Sequence, residues 1–528
     1  MKWLFGKSRW IHKYFGLVLL LFLMWMSISG ILLNHPELIA NYSIPAWLVP
    51  SHYRIKNWDR SALITLKFSE KNQRIGFAAG KLGIWKTEDG GQTFLPLRSE
   101  LPESPYYRKT NDILLLEKDS DLLFAATDGG LFVYNLNNYH WKRLPLRNDD
   151  ERILKILKVQ DRLFVFTPSS AFASPLPPRE MKFKMIHLRR KNDLDQVSMI
   201  RLFFDIHDGR IWGFFGRLLI DFAGLIIIFI SVTAFYIWFF PRKRKKMDHT
   251  KSFLSSRCFN NMFRKLYKYH LKIGIWVAAL LLIIGGTGFF MRPPALAAIA
   301  NGWISSSAYP GFLPENPWDQ KIQNALYDSV DNRLIIQAAG GFWIGPPDFS
   351  QPFVRKKMNV PVFVMGTTVF EPYGKGGFLV GSFSGIYHLE RKSGKAINLL
   401  TNREAGAVSS IRPAEKMITG YFKTPQGEQF ITTHEQGLLP VGNAHREDRF
   451  IMPLEMKENY KMPLWNFLFE IHNGRIFTDL VGNFYILIVP LGSLLFVLVV
   501  LSGIYDWLFL KIWRKRSLRS NKHITILK

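Results

Sequence analysis

The sequence is poor in cysteine and lacks the common nucleotide-binding and metalloprotease motifs. Cys258 is the single cysteine among 528 residues, which excludes internal disulfides and thiolate iron–sulfur or multi-cysteine zinc sites. No Gly-x-Gly-x-x-Gly follows a predicted strand, and neither a Walker loop nor a His-Glu-x-x-His helix occurs. A nicotinamide or flavin domain is therefore not visible, and electrons for any redox reaction must come from a partner or a quinol.

Acidic residues are scarce beside the hydrophobic runs. Residues 1–13, 242–272 and 511–528 hold 22 Lys and Arg against the single acid Asp248, a net charge of +21 out of +28 for the chain. The positive-inside rule then puts both termini and the 242–272 loop in the cytoplasm. The alternative, nucleic-acid binding by the basic run 242–246, explains this distribution less well, and no nucleic-acid partner is predicted.

The hydrophobic residues are concentrated in four long runs. Although 48% of the residues are hydrophobic, the mean hydropathy is only +0.02, because polar segments separate the runs at 14–33, 218–240, 273–290 and 484–510. Each run is near the ~20 residues that cross a hydrocarbon core about 30 Å thick. We expect four transmembrane helices in contact with the lipid bilayer, the first an uncleaved anchor because no small-residue cleavage site follows it.

Two histidine motifs occur twice each. His12 and His270 each have a glycine four residues later, Gly16 and Gly274, and precede a membrane run that contains a Ser/Thr-Gly pair at the same offset. A His-x-Gly-Arg-Ile motif recurs at His207 and His472, again before a long apolar run. The chain is therefore predicted to be two tandem copies of one unit.

These features predict eight segments in order. They are a cytoplasmic N-terminus with transmembrane helix 1 (1–35), a periplasmic β segment (36–212), transmembrane helix 2 (213–241), a basic cytoplasmic loop (242–271), transmembrane helix 3 (272–291), a second periplasmic β segment (292–480), transmembrane helix 4 (481–510) and a basic cytoplasmic tail (511–528).

Strand, glycine turn and strand recur in both polar segments. Three such units occur in each segment with a period of roughly 40–50 residues, which is typical of propeller blades. Their second strands begin near Gly83, Gly130, Ala171, Gly341, Gly385 and Gly437. We therefore predict a membrane α plus extracytoplasmic β fold: a four-helix bundle with one six-bladed, propeller-like β domain. Two separate three-blade sheets, or half-propellers, are the alternative.

One turn supports the propeller independently. Residues 87–94, Thr-Glu-Asp-Gly-Gly-Gln-Thr-Phe, resemble the Asp-box hairpin of sialidase-type propellers. In that family the turn is structural, with the aspartate bonding backbone amides and glycine taking a positive φ. It does not indicate glycosidase activity.

The repeated histidines predict a cofactor between facing helices. A lone histidine at a membrane end is usually an interfacial side chain, but ionisable groups near spans are costly and their repetition at two depths indicates function. Facing helices that each donate an imidazole can hold a b-type haem. Pseudo-twofold symmetry then pairs His12 with His270 near the cytoplasm and His207 with His472 near the outer face, as ligands of two haem irons.

Glycine and arginine near the histidines are further candidates for cofactor binding. Gly16 and Gly274 lie one turn after their histidines, where a missing side chain lets a flat macrocycle approach; close helix packing is an equal alternative. Arg210 and Arg475 could pair with haem propionates or with lipid phosphate. His35 also lies at the outer face and could replace one outer ligand, act near the substrate or cap its helix. No catalytic residue is identified.

The two histidine motifs, with the Ser-Gly-Ile-Leu-Leu-Asn-His ending of the first run at 29–35, resemble the PepSY-associated transmembrane family. That family includes iron-regulated membrane proteins and haem-containing ferric-siderophore reductases of the bacterial inner membrane. The resemblance implies electron transfer from a quinol or cytoplasmic reductase, through b haems, to a periplasmic ferric chelate. His12, His207, His270 and His472 match the family histidines, and His35 matches a subset. No PepSY module is found between the helices.

Two hypotheses from other functional classes remain open. A non-enzymatic receptor or assembly factor would use the propeller to bind a periplasmic protein or peptide, with the helices as an anchor. A transporter is favoured less, because no broken helices are predicted at matching positions. A measurement of haem content distinguishes the reductase from the receptor and from the transporter, because only the reductase is expected to bind haem.

Overall fold

The chain divides into two compact units. The computed structural model describes residues 2–118, 120–146, 152–177, 180–191, 196–246, 253–362, 365–374, 376–406, 417–442, 444 and 449–526. The helical unit comprises Met1–Ile39, Asp195–Leu313 and Trp465–Lys528, and the β unit comprises Ala40–Leu194 and Pro314–Leu464. The polar segments predicted at 36–212 and 292–480 are thus divided between the two units.

The α-helices follow the predicted hydrophobic runs and add short helices between them. In chain order, α1 to α12 are Lys2–Asn34, Pro36–Ile39, Pro105–Arg108, Met199–His207, Gly213–Lys246, Phe253–Trp276, Ala278–Phe289, Ala295–Ile299, Leu454–Glu458, Leu464–His472, Thr478–Val481 and Tyr485–Ile526.

Three helices are long and apolar enough to cross a membrane, within Trp3–Asn34, Arg210–Arg242 and Arg475–Ile512. The third predicted helix is broken instead of continuous. Phe259–Trp276 and Ala278–Phe289 meet at a bend of 65°, where Val277 leaves helical geometry. Gly274 and the β-branched Val277 both weaken helix propensity there. The first half has no matching break, because α1 is continuous.

The long helices pack around one apolar core. Buried side chains from α1, α5, α7 and α12 meet in it: Leu19, Ile227, Leu281 and Phe496. Where α1 crosses α12, a Cβ on Gly492 would collide with the Phe22 ring. Only glycine at position 492 allows the two helices to approach so closely, so this residue determines where they cross.

The β-strands are short and mostly lie in the β unit. In chain order, β1 to β28 are Ser43–Ile44, Thr65–Phe68, Gly76–Gly80, Gly83–Thr87, Leu95–Pro96, Thr110–Leu116, Leu122–Thr127, Gly130–Asn135, His140–Leu144, Lys155–Val159, Arg162–Phe166, Ala171–Pro175, Lys184–Ile186, Arg190–Lys191, Gln196–Ser198, Trp303–Ser305, Ile322–Asp328, Arg333–Ala338, Gly341–Gly345, Phe353–Lys356, Val369–Tyr373, Gly377–Ser382, Gly385–Glu390, Ala396–Asn398, Ile418–Lys423, Gln429–Thr433, Gly437–Val441 and Met462–Pro463.

The larger sheets are small antiparallel meanders that follow one another along the chain. They are β2–β5, β6–β9, β10–β13, β17–β20, β21–β24 and β25–β27, with β14 added in parallel to the fourth. The six predicted strand pairs are all antiparallel hairpins in the structure: β3–β4, β7–β8, β11–β12, β18–β19, β22–β23 and β26–β27.

Successive sheets bury their faces against each other. Five apolar clusters join each sheet to the next. The last sheet also meets the first, since the Tyr421 amide donates to the Ile64 carbonyl over 3.1 Å and the Thr432 hydroxyl to the Leu63 carbonyl over 2.8 Å. The β unit is therefore propeller-like.

The first strands of the sheets carry charged residues that pair with one another. Lys67 Nζ lies 3.3 Å from Glu371 Oε1, and Lys155 Nζ lies 3.3 Å from Asp112 Oδ1. The pKa of Lys67 is raised chiefly by Glu371, against the effect of burial. Burial raises the pKa of Asp112, whereas neighbouring lysines outweigh it at Glu371 and lower that pKa. The two pairs connect β2 with β21 and β10 with β6.

Candidate functional site

The His-x-Gly-Arg motif ends a helix in each half. α4 ends at His207 and α10 at His472. Gly209 and Gly474, two residues later, have φ values of 83° and 77°, in the left-handed region that favours glycine after a helix. A Cβ on Gly209 would also collide with the Gly216 carbonyl. The motif therefore holds each histidine in the last turn of a helix.

The structure brings the four repeated histidines together in two pairs. The rings of His12 and His270 have centroids 6.3 Å apart and planes at 84°. Those of His207 and His472 have centroids 6.5 Å apart and planes at 64°. We call them the His12 pair and the His207 pair. The structure brings together the residues that the repeat pairs, and each pair takes one histidine from each half.

Every one of these rings is held at Nδ1. The partner is a hydroxyl oxygen at three of them, and at His12 it is a carbonyl with a longer contact to a hydroxyl. The distances are 3.0 Å from His207 to Thr287 Oγ1, 2.9 Å from His472 to Ser29 Oγ, 2.9 Å from His270 to Thr233 Oγ1, and 3.0 and 3.3 Å from His12 to the Val499 carbonyl and Ser502 Oγ.

The Nε2 atoms are left available. Each ring contact with a measured distance involves Nδ1, and His207, His270 and His472 also bond the backbone carbonyls of Ile284, Ile230 and Met26. Burial lowers the pKa of His207, against the effect of Asp208, and burial with the neighbouring His207 lowers the pKa of His472 to about 3. The His207 pair is therefore neutral near pH 7, which is the form that binds metals.

The spacing of each pair fits one iron between two imidazoles. Rings that ligate a metal from opposite sides through bonds of ~2 Å have centroids roughly 6 Å apart, and both pairs have this separation. Among the described residues, no group of three or more His, Cys, Asp or Glu side chains could hold a metal ion. The donor set of each pair is the bis-imidazole set of a b-type haem.

Glycines beside the rings complete the fit, but they are not the predicted ones. A Cβ on Gly30 would lie 3.3 Å from His472, one on Gly288 would lie 3.2 Å from His207, and one on Gly503 would lie 2.9 Å from His12. By contrast, a Cβ on Gly16 would meet only Val499 at 3.8 Å, and one on Gly274 would meet nothing within 4 Å. The space beside Gly16 and Gly274 is thus largely open, and their role in the approach of a flat macrocycle stays a prediction.

Comparison with known proteins assigns the chain to a family. The family model for the PepSY-associated TM region matches residues 9–508. The chain belongs to this family. Together with its long apolar helices, this makes it a membrane protein. No curated protein matches the sequence significantly.

Solved structures resemble this PepSY-associated TM protein only distantly. The extracellular domain of BT4673 from B. thetaiotaomicron is 11% identical, with a TM-score of 0.34 over 75% of this chain and 40% of that one. YCF48 from Cyanidioschyzon merolae is 11% identical, with a TM-score of 0.32 over 74% and 97%. PorZ from Porphyromonas gingivalis is 9% identical, with a TM-score of 0.33 over 76% and 39%. The chain spans 40% or less of the first structures it matches, and such TM-scores carry no argument about function.

In this PepSY-associated TM protein, the two predicted arginines already have carboxylate partners. Arg210 Nε donates to Asp208 over 2.7 Å, and Arg475 forms a bidentate pair with Glu470 at 2.9 Å for both contacts. Arg292 differs, because its Nε is buried without a hydrogen-bond partner. Burial and the nearby Arg475 lower the Arg292 pKa, so an anion there would be stabilised.

His35 lies apart from both pairs. Its Nε2 is 2.8 Å from Asp221 and its Nδ1 is 3.1 Å from Glu37. Asn34 also donates to Asp221, over 3.3 Å. Both ring nitrogens of His35 thus contact carboxylates. The outer pair contains His472 and not His35, which was the alternative ligand at that end.

Sequence reasoning missed the residues that hold the rings from behind. Ser29-Gly30 and Thr287-Gly288 were noticed as repeats but given no role. Thr233 and Ser502 were not singled out, although each is followed by a small residue and then, at the same offsets, by Tyr and Trp. That shared pattern was the available signal.

Proposed function

We propose that the helical unit binds two b-type haems and that the protein is an inner-membrane oxidoreductase that passes electrons to an acceptor outside the membrane. The observation that carries the proposal is the pair of centroid separations, 6.3 and 6.5 Å, with all four Nε2 atoms available. When bound, haem supplies a one-electron ferric–ferrous couple.

The chain's own residues have distinct roles in this proposal. The Nε2 atoms of the His12 pair would hold one iron, and those of the His207 pair would hold the other. Gly30, Gly288 and Gly503 leave room beside the rings. Arg292, with its unpaired buried Nε, is the best candidate to neutralise a propionate, since the predicted Arg210 and Arg475 already bind carboxylates.

The proposed topology has four spans and six blades. The bent pair α6–α7 counts as one span, and each of the six meanders counts as one blade. The basic flanks then put both termini in the cytoplasm and the β unit in the periplasm. Seventeen residues of α1 separate His12 from Ser29 of the second site, roughly 25 Å of helix, which supports two cofactors at different depths.

The acceptor that fits best is a ferric chelate, as the family resemblance implies. Each ferric ion takes one electron and becomes ferrous. The electrons come from a quinol, which releases two electrons and two protons, or from a cytoplasmic reductase. We therefore propose a role in iron assimilation.

A reduced-minus-oxidised absorption spectrum of the purified full-length protein, with a pyridine haemochrome count, tests the proposal. We expect two b haems per chain. His12→Ala and His270→Ala should each remove one spectral component, and His207→Ala and His472→Ala the other. A wild-type protein without haem after expression with ample haem would contradict the reductase and favour a receptor built on the β unit.

A further inference from the structure

The four hydroxyls behind the histidines each have only one proton, and the structure shows where it goes. Each hydroxyl donates to a backbone carbonyl of its own helix, three or four residues earlier. The distances are 2.6 Å from Ser29 to Trp25, 2.7 Å from Thr287 to Ile283, 2.9 Å from Thr233 to Phe229 and 2.7 Å from Ser502 to Val499. Each hydroxyl oxygen can therefore only accept a hydrogen bond from the ring.

This fixes the tautomer of the imidazoles. Nδ1 must carry the proton in order to donate to a hydroxyl or to the Val499 carbonyl, so Nε2 carries the lone pair. A ligand nitrogen with its lone pair free and its other nitrogen donating to a fixed acceptor is oriented and made a stronger electron donor. The hydroxyls act on the metal through the histidines.

We propose that Ser29, Thr233, Thr287 and Ser502 are positioning residues that set the haem affinity and the midpoint potential of the two sites. The inference rests on the proposed function. It adds four residues that act behind the ligands, each assigned to one site: Ser29 and Thr287 to the His207 pair, and Thr233 and Ser502 to the His12 pair.

The sequence repeats this arrangement four times. Each hydroxyl residue is followed by a small one, in the pairs Ser29-Gly30, Thr233-Ala234, Thr287-Gly288 and Ser502-Gly503. The hydroxyl accepts the ring N–H, and Gly30, Gly288 and Gly503 leave room for the rings of His472, His207 and His12. Every hydroxyl also comes from the opposite half of the chain to the histidine it holds, so the halves secure each other's ligands.

The four contacts are not equal, and the difference provides an internal comparison. At His12 the nearer acceptor is the Val499 carbonyl at 3.0 Å, with Ser502 Oγ at 3.3 Å. Removing the Ser502 hydroxyl leaves that ring with an acceptor. His270, His207 and His472 also bond a backbone carbonyl, but their hydroxyl partners lie at 2.9 to 3.0 Å, closer than Ser502 lies to His12, so these hydroxyls contribute more to holding the ring.

The test is a redox titration of the purified full-length protein, with haem counted by pyridine haemochrome. Thr287→Val or Ser29→Ala should raise the midpoint potential of the component lost in His472→Ala, because the ferric form loses electron donation, and weaken haem retention at least tenfold. Thr233→Val should do the same for the other component, and Ser502→Ala should change it least.

Two variants separate this role from general packing. Ser27→Ala removes another buried serine from α1, two residues from Ser29, and should leave both potentials unchanged. Thr287→Ser keeps the hydroxyl and should restore the wild-type potential that Thr287→Val loses. If a valine variant binds no haem, its midpoint potential cannot be measured. The role of the hydroxyl is then tested by the return of haem in Thr287→Ser and by the shift of the midpoint potential in Ser29→Ala.

The outcomes are distinguishable. Two haems in the wild type, with potentials and haem content unchanged in Thr287→Val, Ser29→Ala and Thr233→Val, would overturn this inference alone. A shift in the component of the other pair would also overturn it. A wild type without haem would overturn the proposed function and this inference together.

Discussion

At the scale of single residues, the positions of the imidazole rings depend on the space beside glycines as much as on hydrogen bonds. Gly288 and Gly286 lie on the same helix two residues apart. A Cβ on Gly288 would press on His207, whereas one on Gly286 would meet nothing within 4 Å. The two glycines therefore form a matched pair for testing whether the space beside the ring is needed.

We expect Gly288→Val to weaken haem binding at the His207 pair by at least tenfold, because a displaced ligand loses its geometry. Gly286→Val carries the same change in helix propensity and should retain two haems per chain. Haem content and the spectrum of each purified variant measure the effect. Equal haem content in the two variants would show that the ring does not need this space.

His35 gives a second prediction at this scale. The hydrogen bond to Asp221 raises the pKa of His35 against the effect of burial, with a smaller contribution from Glu37. A raised pKa means that the stabilisation is complete below the unfolded value of about 6.5 and is lost as pH rises through the higher folded value. His35→Gln should therefore destabilise the protein by about 1 kcal/mol at pH 5 and by less at pH 9.

Thermal unfolding of the detergent-purified variant at the two pH values measures this difference. His35→Gln should also keep two haems, since His35 touches neither pair. Loss of one haem would instead make His35 a ligand.

The grouping of the four histidines into two pairs could be predicted because the motifs around them occur twice and membrane histidines are rare. The hydroxyls that hold them could be predicted only in part. Serine and threonine are common in membrane helices, where they usually bond their own backbone. That Thr233 and Ser502 also face a ring depends on the approach of helices from opposite halves, which no local pattern encodes.

At the scale of secondary-structure elements, turns determine how the strands and helices that they connect are placed. The hairpin at residues 87–94 has the predicted Asp-box geometry. The Asp89 carboxylate accepts hydrogen bonds from the amides of Gln92 and Thr93 and from the hydroxyls of Thr87 and Thr93. Gly90 has a φ of 78°. Burial tends to raise the pKa of Asp89, but these hydrogen bonds outweigh it and lower the pKa to about 2.

Asp89→Asn should therefore destabilise the β unit at neutral pH, by about 1 kcal/mol because the carboxylate is only partly buried. A depressed pKa means that the stabilisation is present above the unfolded value of about 3.9 and is lost as pH falls through 2. Unfolding of the full-length protein, followed by tryptophan fluorescence, should show the wild type and the variant converging toward pH 2. A pH-independent difference would mean that the charge is not what stabilises the turn.

Local patterns predicted the hairpins and the places of the long helices along the chain. They missed elements whose partners are distant in sequence. β14 pairs in parallel with β20, more than 160 residues later, and the broken α6–α7 lies within an apolar run that reads as continuous. The addition of a distant strand to a sheet and the bending of a helix depend on tertiary contacts. A glycine turn or an apolar run depends on adjacent residues, so it can be predicted from the sequence.

At the scale of the whole molecule, the two halves are interleaved and not merely adjacent. Each histidine pair takes one ring from each half, and each ring is held by a hydroxyl from the other half. The helical core likewise takes side chains from α1 and α5 of the first half and from α7 and α12 of the second. Neither half alone therefore contains a complete histidine pair.

A split chain tests this directly. We expect residues 1–249 and 250–528, expressed together, to purify as a complex with two haems, because the cut falls between α5 and α6 and leaves both pairs intact. Either piece alone should carry no bis-histidine component. His472→Ala in the second piece of the complex is the matched control, and it should remove only the component of the His207 pair. A piece that alone gave a full bis-histidine spectrum would show that ligands pair within a half, and the exchange of ligands between the halves would then be wrong.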